Sequence, residues 1–130
     1  MPMPIVYIDR SDIHGGKVEA VKRLADELVE FVDANEPQLM SYGFFFSEDG
    51  TQMSVVAIHP DSASLELHLE IGGPAFQRFK EHISLRSIEV YGRPSDDAVN
   101  RLRQKAKMLG AKGDVVVHDL QSGFARSMTS

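Results

Sequence analysis

The stretch from Val55 to Phe79, VVAIHPDSASLELHLEIGGPAFQRF, decides the fold. Four apolar residues, Val55 to Ile58, form a buried-strand signal that stops at His59-Pro60, because proline has no N–H for a ladder. Asp61 or Ser62 then offers a side-chain oxygen to cap a helix. Leu65, His68 and Leu69 follow at helical spacing. Gly72-Gly73-Pro74 predicts a break, with the helix resuming through Phe76 and Phe79 to about Glu81.

Upstream, Leu39 to Phe46 and Met53 to Ile58 are rich in aromatic and β-branched residues and flank SEDGTQ, whose Asp49-Gly50 tolerates positive φ, so a β-hairpin is predicted. The run Lys17 to Asn35 places Val18, Val21, Ala25, Leu28 and Val32 three and four apart, a helix that should end where Pro37 biases Glu36 away from helical angles. Pro4 to Asp9 reads as a first strand. Downstream, Ser87 to Tyr91 alternates and reads as a half-buried fourth strand.

The order βαββαβ predicts an α+β, ferredoxin-like sandwich, two helices on one face of a four-stranded sheet. Beyond Gly92, Pro94 to Asp97 open a third helix carrying Val99, Leu102, Ala106 and Leu109, with Gly110 as its C-cap. Asp114 to His118 then reads as a short fifth strand before a frayed tail. One domain is drawn, with residues 1–92 as its core and residues 93–130 as a helix-strand extension.

With 130 residues, no cysteine and no tryptophan, the chain can bury a core without staples, and disulfides, thiolate metal sites and cysteine nucleophiles are excluded. A cytoplasmic location is expected, since no secretory leader and no membrane-length apolar window is present. The net charge of −5 argues against nucleic-acid binding. RLRQKAKMLGAK, from Arg101 to Lys112, is the basic exception and reads as a solvated helix face.

Period-2 geometry puts Val55, Ala57 and His59 on one face of their strand, a face that Tyr42 of the hairpin can share. On the other strands Val6, Ile8, Ile88 and Val90 are expected under the helices. Tyr7, Glu89 and Tyr91 would then fall on an opposite, amphipathic face. His59 at a strand end is more commonly a surface side chain, His68 a packing histidine and the tyrosines sheet-face aromatics. His14, His82 and His118 are scattered, no Gly-rich dinucleotide loop follows a strand, and no metal or cofactor is expected.

The strand, the acid-containing turn, the Asp61-x-x-x-Leu65-x-x-His68 helix and the Pro74-x-Phe76-x-x-Phe79 pattern resemble the antibiotic biosynthesis monooxygenase-like superfamily. The likeness covers about Pro4 to Gly92. It implies a dimeric α/β barrel, in which two ferredoxin-like sheets pack face to face in a homodimer. Members commonly carry Glu-x-Trp at the end of the third strand, where this chain has Ala57 and His59. Ala75 stands where a second histidine is usual, and the lack of tryptophan argues against the haem-degrading branch.

The function this resemblance implies is a cofactor-independent monooxygenase acting on a small aromatic or quinol-type compound that supplies its own electrons as an anion. His59 would be the base, with Tyr42 and Tyr91 orienting the ring as catalytic partners. Tyr7, Phe44, His68, Phe76 and Glu89 would line the ligand site. The alternative is a non-catalytic dimeric ligand-binding or interaction module whose cavity is filled by its own aromatics.

Overall fold

The computed structural model describes residues 3–110 and 115–126. Asp114, expected to open the last strand, and Lys112 of the basic run lie outside the described residues.

Eight elements follow in chain order: β1 (Ile5–Ile13), α1 (Val18–Asn35), β2 (Ser41–Phe46), β3 (Gln52–His59), α2 (Ser62–Gln77), β4 (Ile83–Tyr91), α3 (Asp96–Met108) and β5 (Val115–His118). They build a five-stranded sheet in the order β2-β3-β1-β4-β5. β1 pairs antiparallel with β3 and β4, whereas β5 runs parallel to β4. The ferredoxin-like α+β fold is therefore present, with its own C-terminal strand added to one sheet edge. α3 joins α1 and α2 on one face of the sheet, since its Lys105 reaches Tyr7 and Asp9 of β1 and the Phe76 ring of α2.

Local chemistry accounts for the elements. On α1, Val21, Ala25, Leu28 and Val32 are buried at four- and three-residue spacing, one stripe laid on the sheet. The Asp49 carboxylate accepts from Ser47 and Thr51, and Gly50 at φ +72° completes the β2–β3 turn. Asp61 caps α2 by accepting the Ser64 N–H at 2.9 Å, and Ser95 caps α3 through the Ala98 N–H at 3.1 Å.

Three expectations need correction. α2 is unbroken from Ser62 to Gln77 with Pro74 inside it; tertiary packing of Leu69 and Phe76 outweighs the poor helix propensity of Gly72-Gly73-Pro74. β1 extends to Ile13 and β4 begins at Ile83, with a register shift between Arg10 and Ser11. The parity of β1 is the reverse of that expected. Ile5, Tyr7, Asp9, Ser11 and Ile13 are the buried members, so Tyr7 lies under the helices and Val6 and Ile8 face away. A central strand is apolar on both faces in its first half, and hydrophobicity alone cannot choose between them.

The expected parity of β4 stands: Ile88 and Val90 are buried and Tyr91 is exposed. On the sheet face away from the helices, Val6 is opposite Tyr91 and Ile8 opposite Glu89, beside Val56 and Ile58 of β3 and the exposed Phe45 of β2.

Candidate functional site

The polar chemistry of the molecule sits between sheet and helices, on the face that was expected to be apolar. At its centre, Tyr7 is 2% exposed and its hydroxyl donates to the Asp9 carboxylate. Lys105 reaches down from α3, its side chain 9% exposed. Its Nζ donates to the Tyr7 hydroxyl at 2.8 Å and to Asp9 Oδ2 at 3.4 Å, and lies 4.0 Å from the centre of the Phe76 ring. An ammonium has three N–H donors. Two are used on oxygen, which leaves one without an oxygen partner among the described residues.

Burial is the main reason the Lys105 pKa falls below its ordinary value, and Asp9 offsets part of that fall. Burial, then the Asp9 charge, raises the Tyr7 pKa well above that of a free phenol. Tyr7 is thus a neutral donor throughout the physiological range.

Beside this cluster is a cavity of ≈ 20 Å³, lined in part by Asp9, Ser11, Tyr42, Phe44, Phe76 and Lys105. That is about the room of one water. Ser11 Oγ is buried there with no hydrogen-bond partner among the described residues, so one wall presents an unsatisfied hydroxyl. Tyr42 has its pKa raised by burial and then by Asp9 and Glu36, and packs edge-on against Phe44 with ring centres 5.4 Å apart.

A second polar group lies behind Tyr42. His68 Nδ1 faces both oxygens of Glu36, at 2.8 and 2.9 Å, and its ring is 5.1 Å from Tyr42, 5.5 Å from Phe76 and 5.6 Å from His59. His59 is fully buried. Its Nδ1 is 2.8 Å from Ser64 Oγ, and its Nε2 has no partner among the described residues. Desolvation, reinforced by His68, lowers its pKa to about 4, so the ring is neutral at pH 7.

Six of the residues singled out in the sequence therefore converge in the layer between sheet and helices: Tyr7, Tyr42, Phe44, His59, His68 and Phe76. Tyr91 and Glu89 do not join them. They lie on the opposite face, where Tyr91 stacks on His118 at 4.5 Å and Glu89 accepts from Arg10 and His118. Those two hydrogen bonds hold the Glu89 carboxyl below its ordinary range.

Asp9, Ser11, Glu36 and Ser64 were not singled out, and Lys105, read with the basic run as part of a solvated helix face, is instead buried. Lys105 carried a signal, because it falls three residues after Leu102 and four before Leu109, inside the apolar stripe of α3 rather than on its solvated face. Among the described residues, no group of three or more histidines and acids is placed to hold a metal ion, and no helix is long and apolar enough to cross a membrane.

No protein-family model matches the chain, and no curated protein matches it either. Among solved structures, MupZ from Pseudomonas fluorescens is similar over 95% of both chains, with 22% identity and a TM-score of 0.73. A structure described as an antibiotic biosynthesis monooxygenase matches 66% of this chain and 92% of its own, with 22% identity and a TM-score of 0.56. SnoaB, a cofactor-independent oxygenase from Streptomyces nogalater, matches 71% of this chain and 94% of its own, with 13% identity and a TM-score of 0.59. The chain has the fold of these proteins. Its match to MupZ takes in most of the extension that carries Lys105.

Proposed function

We propose that the protein is a cofactor-independent, monooxygenase-like enzyme acting on a small hydroxyarene or quinol-type compound bound between sheet and helices. The observation that carries this reading is the Lys105 ammonium, buried beside Asp9 and Tyr7 on the wall of a chamber lined mainly by aromatic and aliphatic side chains. A site of that kind suits an apolar ring with one acidic hydroxyl. Asp9 would take the hydroxyl proton, and the Lys105 N–H that has no oxygen partner among the described residues would hold the resulting oxyanion in a medium where water does not compete.

The overall change balances without an external reductant. A hydroxyarene and O₂ give a quinone and water; the arene surrenders four electrons, one oxygen atom stays on the ring and the other leaves as water. His59, neutral and with no partner for Nε2 among the described residues, forms with His68 a second proton-handling pair behind Tyr42. The likeness to SnoaB supports this class of chemistry.

The small chamber volume, ≈ 20 Å³, favours a second reading, a non-catalytic module filled by its own aromatics. Oxygen uptake over a panel of dihydroxyarenes distinguishes them, using wild type, Lys105→Met and His59→Ala with folding confirmed in each. The enzyme reading expects uptake that Lys105→Met lowers by about 10²–10³-fold, the usual effect of losing an oxyanion donor. No uptake with any member supports the module. Uptake that survives Lys105→Met and falls ~10²–10⁴-fold in His59→Ala would make His59 the base.

We also propose a homodimer built on the sheet face away from the helices, where Val6, Ile8, Phe45, Val56, Ile58 and Tyr91 form an apolar surface of the kind that marks an interface.

A further inference from the structure

We propose that the groove between α2 and α3 is the outer half of the ligand site, so that the ligand is an elongated, largely apolar molecule whose hydroxyl-bearing end reaches Lys105 past a movable Phe76 ring. This rests on the chamber being the ligand site. The chamber by itself holds about one water. The groove offers ≈ 300 Å³, and Phe76 and Lys105 line both spaces. Leu69, Pro74 and Met108 give it apolar lining, while Gln77, Arg101 and Gln104 add polar groups.

The position of Phe76 depends on a glycine. A Cβ at Gly72 would lie 2.6 to 3.2 Å from three atoms of the Phe76 ring, so only glycine lets the ring lie flat on α2 beneath Lys105. The helix is also soft at this place. Gly72 and Gly73 are poor helix formers, and Pro74 cannot donate to the Glu70 carbonyl. The segment that carries the ring can thus yield where a rigid helix would not.

A second route competes. The ≈ 440 Å³ groove between α1 and α2 shares Leu28 and Phe79 with the chamber. Phe79, however, is stacked on Phe44 at 6.0 Å, and both shared side chains are apolar, which suits a dry wall better than an entrance for a hydroxyl.

The absence of cysteine allows a test that needs neither substrate nor turnover. Ser11→Cys places the only thiol of the chain in the chamber, and its rate of modification by methyl methanethiosulfonate measures access. Phe76→Ala is expected to raise that rate at least tenfold, and Phe76→Leu to raise it less. Gln104→Trp, across the α2–α3 groove, is expected to lower it at least threefold, whereas Glu27→Trp over the α1–α2 groove leaves it unchanged. Slowing by Glu27→Trp and not by Gln104→Trp would overturn the proposal in favour of the other groove. A rate indifferent to Phe76 and to both tryptophans would overturn any gated route. Melting curves show which variants are folded, and neither outcome bears on whether the protein consumes oxygen.

Discussion

Replacing Lys105 by Met keeps the length of the side chain and removes its charge, leaving Asp9 buried with the Tyr7 hydroxyl as its remaining side-chain donor. The two charges are 3.4 Å apart, with side chains 9% and 4% exposed, and at an effective dielectric of ~20 such a pair attracts by about 5 kcal/mol. Desolvation opposes this, as the lowered Lys105 pKa shows. The net value of the intact pair is therefore small, while the cost of breaking it is about 3–5 kcal/mol.

Over 130 residues, the usual unfolding entropy makes each kcal/mol worth about 4 °C in Tm, so Lys105→Met should melt roughly 11–18 °C lower. Asp9→Asn should cost a similar amount near neutral pH. Its cost should shrink as pH rises, because the stranded Lys105 can shed its proton and then needs no counter-ion. The double variant, with neither charge, should return to within about 1 kcal/mol of wild type, so that the two single losses are far from additive. Urea unfolding followed by far-ultraviolet circular dichroism measures all four proteins, the signal being chosen because the chain has no tryptophan. Losses below ~1 kcal/mol for both single variants, or strictly additive losses in the double, would refute a buried Lys105–Asp9 pair.

Three further outcomes follow from the same geometry. His59 has a folded pKa of about 4 against about 6.5 unfolded, so the unfolded chain binds more protons in that window. Stability should fall by roughly 3 kcal/mol from pH 7 to pH 4 on this account alone, and His59→Gln should flatten that part of the denaturation profile. Gly72→Ala should lower stability by about 1–3 kcal/mol through overpacking against Phe76, an effect relieved by Phe76→Leu in the double variant. Val56→Lys, on the sheet face away from the helices, should convert the proposed dimer to monomer by light scattering at micromolar concentration; a wild-type monomer would remove that interface.

Much of the architecture was legible because it rests on local signals. The 3.6-residue stripe of α1, the Asp49-Gly50 turn and the Asp61 cap each name their element before any long-range contact forms. Parity was harder. Ile5 to Ile8 is apolar on both faces, and the residues that settle β1, Tyr7, Asp9 and Ser11, are polar groups buried because Lys105, almost a hundred residues later, partners two of them. No local pattern carries that information. His59, His68 and Tyr42 were visible as residue types at a strand end, on a helix and in a hairpin. Their company was not, because Glu36 lies just beyond the end of α1 and meets His68 only when α1 and α2 dock. Lys105 was hidden by its neighbours, since a helix rich in Arg and Lys looks solvated until the one cation in the apolar stripe is separated from those beside it.

The most direct test of an anion-stabilising chamber is the ionisation of a bound chromogenic phenol. 4-Nitrophenol is titrated with protein at a pH one unit below its own pKa, and phenolate is read by its visible absorbance. One charge-assisted hydrogen bond of about 1.5–3 kcal/mol corresponds to a fall of roughly one to two pKa units in the bound phenol. Wild type should therefore turn the solution yellow with saturation, and Lys105→Met, confirmed folded, should not. Saturable binding with no phenolate, or the same phenolate signal in Lys105→Met, would contradict the role given to Lys105.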